Sequence, residues 1–118
     1  MQFNAEQPIY IQIGKDIQEQ IISGQLVPGE KLHSVREYSV LYEVSPLTIH
    51  RSMQYLEKEG IIYSQKGVGS FVKEDIRGKL EGTMLDTEIL EFIGRLRKCG
   101  LSDSEILERV KKLLSAER

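Results

Sequence analysis

Cysteine is nearly absent from this sequence. The single one, Cys99, cannot form an internal disulfide, and such a chain is expected in a reducing, cytoplasmic setting. Long apolar runs are missing, so no segment is expected to span a membrane. The first ten residues, MQFNAEQPIY, lack a basic stretch followed by an apolar one, so no secretory leader is expected. His33 and His50 lie far apart, and with one cysteine no zinc-ligand spacing arises, so no metal is expected. No nucleophile–base pair or paired-acid arrangement points to an enzyme, and no cofactor is expected. Gly67-x-Gly69 lacks the following helix and the Lys-Ser/Thr of a P-loop, which argues against nucleotide binding. There is no internal repeat and no low-complexity segment.

A surplus of positive charge is lacking too. Sixteen Lys/Arg face 18 Asp/Glu, for a net charge of −2. Residues 31–79 carry eight Lys/Arg and six Asp/Glu, and the rest carry eight and twelve. Bulk charge therefore does not announce a polyanionic partner. A few cations on one face would still suffice, because attraction to phosphates acts over a Debye length of about 10 Å.

What remains is a chain of 118 residues with ordinary apolar and charged fractions, enough for one modest core and a small appendage. Residues 8–23 read as a helix. Pro8 suits its first position, and Ile9, Ile13, Ile17 and Ile21 make an apolar stripe ending near Gly24. Pro28-Gly29 marks a turn. Ser34 and Glu37 form a capping box for a second, short helix through Val35, Tyr38 and Leu41-Tyr42, stopping near Glu43-Val44. A third begins at once, with Ser45 as N-cap and Pro46 in its first turn. Ile49, Met53 and Leu56 face inward, and Gly60 ends it. Two short helices joined by so tight a turn match a helix-turn-helix. Residues 61–64 and 70–72 read as strands around a glycine-containing loop tipped by Lys66, a candidate wing.

The charged stretch 73–82 reads as a linker. A fourth helix is expected over about 84–99, with Leu85, Ile89, Phe92, Ile93 and Leu96 as its stripe and Gly100 after its end. A fifth starts at the capping box Ser102/Glu105, with Ile106, Val110, Leu113 and Leu114 on its apolar face. The expected architecture is mainly α with a small β-hairpin: a winged helix-turn-helix over 1–75, a linker over 76–83, and a two-helix dimerisation element over 84–118.

Along residues 7–72 stand Pro8-Ile9-Tyr10, Gln12-Ile13, Gly24, Pro28-Gly29, Leu32, Ser34-Val35-Arg36-Glu37, Val44-Ser45, Thr48, Leu56-Glu57, Gly60 and Gly67-x-Gly69-x-Phe71-Val72. In that order and at that spacing they resemble the GntR family of regulators. The short remainder and Pro46 are similar to the YtrA-type subfamily. That likeness implies C-terminal helices that dimerise and repression of a nearby operon, often one encoding a transporter. The chain departs from the family at His33, where proline is common, and at His50, where a basic residue is common.

In a helix-turn-helix the second helix enters the major groove N-terminus first. With Ile49, Met53 and Leu56 inward, the opposite face carries Leu47, His50, Arg51 and Gln54. Arg bonds bidentately to guanine and Gln to adenine, and Leu47 can meet a thymine methyl. Ser45 and Thr48, beside free N–H groups, suit phosphates, as does Ser34 at the preceding helix start. The resemblance implies that Arg36 lies against DNA. Lys66 and Gly67 belong to the wing. Ordinary alternatives stand beside each: a solvated arginine paired with a glutamate, or a cation at a hairpin turn. The expected partners are double-stranded operator DNA and a second copy of the chain through Leu85, Ile89, Phe92, Ile93, Leu96, Ile106, Val110 and Leu113. No effector is named, and two short helices leave little volume for one. The competing reading is a winged helix used only for protein–protein contact.

Overall fold

The computed structural model describes residues 1–117, the side chain of Arg77 excepted. The chain divides into two compact units, residues 1–81 and residues 82 onward.

In the first unit, α1 (Ile9–Ser23) buries Ile13, Ile17 and Ile21 completely, but Ile9 is 42% exposed. Steps of four drift by about 40° each on a helix of 3.6 residues per turn, so the first member of the stripe rotates out of the buried face. Pro8 stands one place earlier than expected, as the N-cap. Gly24 ends the helix at φ +88°, a left-handed conformation that glycine adopts without strain.

Helix α2 (Val35–Tyr42) is closed at its start by the expected capping box, in which Ser34 Oγ accepts from the Glu37 N–H and a Glu37 carboxylate oxygen accepts from the Ser34 N–H. At its end Glu43 takes φ +55°, and Val44 donates to the Ser39 carbonyl at 3.1 Å. This left-handed residue lets α3 (Pro46–Lys58) begin with only three residues between it and α2. Ser45 caps α3 by accepting from the Thr48 N–H at 3.2 Å. Ile49 and Leu56 are fully buried and Met53 nearly so. Helices α1 and α3 pack very closely. A Cβ on Gly14 would lie 2.6 Å from the Tyr55 ring, and the buried Ser52 hydroxyl donates to the Tyr10 carbonyl at 2.9 Å.

Strands β1 (Ile62–Gln65) and β2 (Gly69–Val72) pair antiparallel, Ile62 against Val72 and Gln65 against Gly69. A third strip, unforeseen from the sequence, joins them. Lys31 bridges Phe71, Leu32 donates to the Ser70 carbonyl at 2.9 Å, and Val72 donates to the Glu30 carbonyl at 2.9 Å. These bonds tie the hairpin to the segment leading into α2.

Helix α4 (Ile76–Lys98) corrects the expected linker, because residues 76–83 are helical. Ile76 and Leu80, four apart, are both buried in the first unit's core, and that burial outweighs the helix cost of Gly78 and Gly82. In the second unit α5 (Asp103–Ala116) starts at the Ser102/Glu105 capping box, and Arg97 grips Asp103 with two hydrogen bonds of 2.9 and 3.1 Å. The fold is mainly helical, a winged helix with one small hairpin.

Candidate nucleic-acid interface

The inward stripe of α3 leaves a complementary outward one. Leu47, His50, Arg51 and Gln54 are all exposed, as the periodicity requires. Thr48 is half-buried, with its hydroxyl 3.0 Å from Ser45 Oγ. Arg51 and Gln54 share a groove with Tyr10, Tyr55, Lys58 and Glu59. Sequence reasoning missed Lys58 and Tyr10 there. Lys58 was detectable, standing seven residues after Arg51 and four after Gln54, one helical face. Tyr10 arrives from α1, and no local signal marks it.

On α2, Ser34 is exposed but occupied by its capping bond, and Arg36 is exposed in a separate groove with His33, Glu37, Val40 and Leu41. Glu37 is engaged elsewhere. The Ser34 N–H and hydroxyl, and then His33 with Nδ1 at 3.5 Å, hold its carboxyl below the ordinary 4.5. Among the described residues the ion pairs are His33–Glu37 and Arg97–Asp103, so Arg36, Arg51 and Lys66 pair with no carboxylate. Three cations left without local partners are available to an external anion. Lys66 and Gly67 stand exposed on the hairpin loop, with Gly67 at φ +78°.

Support for this face lies beneath it. Tyr42 donates to Asp16 at 2.6 Å, and Gln20 donates to both, which ties the end of α2 to α1. Burial, then the Asp16 carboxylate, pushes the Tyr42 phenol well above its ordinary range. Tyr38, only 2% exposed, stacks edge-on to His33, and among the described residues its hydroxyl has no hydrogen-bond partner.

In the second unit Leu85, Ile89, Phe92 and Leu113 are exposed, and Ile93, Leu96 and Val110 are half-buried. Ile106 is 6% exposed, so its surface is already covered within the chain. Ile89, Phe92, Ile93, Ile106, Leu107 and Val110 line a largely apolar groove, together with the ion-paired Arg97 and Asp103. Leu114, expected on the apolar face of α5, is exposed as well, and Leu90 and Leu107 are exposed beyond the expected stripes.

Residues 9–72, the helix-turn-helix and its hairpin, match the family described as bacterial regulatory proteins, gntR family. The chain belongs to the GntR family. The HTH-type transcriptional repressor YtrA of Bacillus subtilis is 32% identical over 109 residues, covering 90% of this chain and 84% of that one. A solved GntR family transcriptional regulator from Listeria monocytogenes has a TM-score of 0.85 at 37% identity, covering 93% of this chain and 98% of its own. The AraR DNA-binding domain, solved in complex with operator ORX1, has a TM-score of 0.56 at 29% identity, covering 60% of this chain and 92% of that one. This GntR-family chain is thus a transcription regulator of the YtrA-like kind with a DNA-binding helix-turn-helix, and its relatives are regulators rather than enzymes. Among its described residues no helix is long and apolar enough to cross a membrane, and no three His, Cys, Asp or Glu side chains could hold a metal ion.

Proposed function

We propose that this chain is a repressor that binds a two-fold symmetric operator as a homodimer and controls a nearby, transporter-encoding operon from the cytoplasm. The observation that carries the DNA part is the outward face of α3: Arg51 and Gln54 exposed side by side, with no carboxylate spent on Arg51. In this reading α3 enters the major groove, Arg51 and Gln54 read base edges, and His50 and Leu47 border them. Ser34, Arg36, Ser45 and Thr48 lie along phosphates, and Lys66 and Gly67 extend the contact through the wing. The repressor role rests on similarity to YtrA, named a transcriptional repressor, and the operon role on the resemblance to the YtrA-type subfamily.

The dimer part rests on exposed apolar surface. Phe92, Leu85, Ile89 and Leu113 lie open on two helices that form a compact unit too small to be stable alone. A second copy would cover them in a two-fold interface and fix the spacing of two α3 helices. Ile106, already covered, supports the unit from within. A second reading, a protein-contact module, is favoured by exposed Val40 and Leu41 on α2.

Titrating random-sequence and selected duplexes across salt separates the two. The operator reading expects binding that weakens as salt rises and selected sites with dyad symmetry. Failure to bind any duplex at low salt would leave the protein-contact reading.

A further inference from the structure

We propose that Lys31, which lies outside the helix-turn-helix, is a second phosphate contact of the wing, delivered to it by Gly69; the inference rests on the DNA-binding reading above. Lys31 is exposed on the strip that bridges Phe71 of β2. Its alkyl stem crosses the hairpin at Gly69, and Cε lies 2.8 Å from where a Cβ on that residue would stand, with Nζ at 3.7 Å. A Cβ there would shift the end of the stem aside. Gly69 also holds φ +144°, a conformation that L-residues rarely adopt, so the backbone favours glycine there.

The result is a lysine whose stem rests on the hairpin backbone while its ammonium stays in water. Gly69 closes the loop that begins at Lys66, opposite Gln65 in the ladder. Lys66 in the loop and Lys31 across its closing residue therefore give the hairpin two cations from distant parts of the sequence. Among the described residues Lys31 pairs with no carboxylate. An ammonium is a compact charge with three rotatable donors, suited to phosphate oxygens rather than to one base. The contact should therefore be insensitive to sequence, and its signature is the salt dependence of binding.

The test measures affinity of the full chain for a random-sequence duplex between 50 and 200 mM salt. Each phosphate neutralised contributes about 0.9 to the slope of log affinity against log salt. Lys31→Met keeps the stem over Gly69 and removes the charge. It is expected to lower the slope by about one per bound chain, Lys31→Arg to retain it, and Lys31→Met with Lys66→Met to lower it by about two. A Lys31→Met slope equal to that of the unaltered chain overturns the inference, as does an equal loss from Lys31→Arg. If the unaltered chain binds no duplex, the DNA-binding reading falls as well. If it binds and only the slope test fails, this inference falls alone.

Discussion

Arg51 and Lys66 carry the same charge in different settings, and the difference predicts different losses. Arg51 sits among Gln54, Tyr10 and Tyr55 on a helix with a rigid inward face, where a guanidinium can be aimed. Lys66 stands on an open loop. Arg51→Ala is expected to cost about 1–3 kcal/mol at one base position per half-site, and Lys66→Ala to weaken all duplexes evenly. A panel of single-base operator changes reads both, and identical profiles would refute the assignment. Tyr38 offers a test of the core. Its buried hydroxyl lacks a partner among the described residues, and burial has pushed its pKa to about 12. Tyr38→Phe removes a desolvated polar group and is expected to leave thermal stability unchanged or raised. A fall by several degrees would mean that the hydroxyl is bonded. Glu37 gives a pH prediction. The Ser34 N–H, then the Ser34 hydroxyl, hold its folded pKa below 4.5, so the unfolded chain binds the proton more readily. The stability that Glu37 contributes is present above pH 4.5 and is lost as pH falls through the depressed value. Ser34→Ala removes the hydroxyl but not the N–H. By NMR titration, the Glu37 carboxyl should rise toward 4.5 without reaching it.

At the scale of elements, the contact between α1 and α3 positions the outward face of α3, and it depends on Gly14. A methyl there meets the Tyr55 ring at 2.6 Å, and Tyr55 borders the Arg51 groove. Gly14→Ala is expected to destabilise the fold by about 1–3 kcal/mol, as overpacking does, and to weaken DNA binding with it. Chemical denaturation checks the first effect, and an unchanged midpoint would show that the ring yields freely. Gly14 also shows where sequence reading stops. The capping boxes at Ser34 and Ser102, the Ser45 cap and the Ile49–Met53–Leu56 stripe are local signals, written within one turn, and they were legible. So was the exposed face of α3, which follows from that stripe. Gly14 against Tyr55 and Lys31 against Phe71 join residues some forty apart, and nothing near either residue marks its partner. The start of α4 was legible in principle. Ile76 and Leu80 have helical spacing, but Gly78, Gly82 and the surrounding charges masked a helix held by burial in the core.

At the scale of the whole molecule, a weakly charged helix-turn-helix would gain affinity and symmetry from the proposed pairing. Phe92 lies in the apolar groove of the second unit and is open to solvent in the single chain. Phe92→Glu puts a charge where the proposed interface must be dry, and it is expected to give a folded monomer in sedimentation at micromolar concentration. A dimer of unchanged strength would place the interface elsewhere. In the proposed assembly two α3 helices, paired through the second unit, read one symmetric site. Selection of bound sites from random duplex DNA, run in parallel on the unaltered chain and on Phe92→Glu, is the decisive measurement. The unaltered chain should select dyads whose half-sites lie about one or more helical turns of DNA apart, and Phe92→Glu should select single half-sites or none. Asymmetric sites from the unaltered chain, or the same dyads from both proteins, would contradict it.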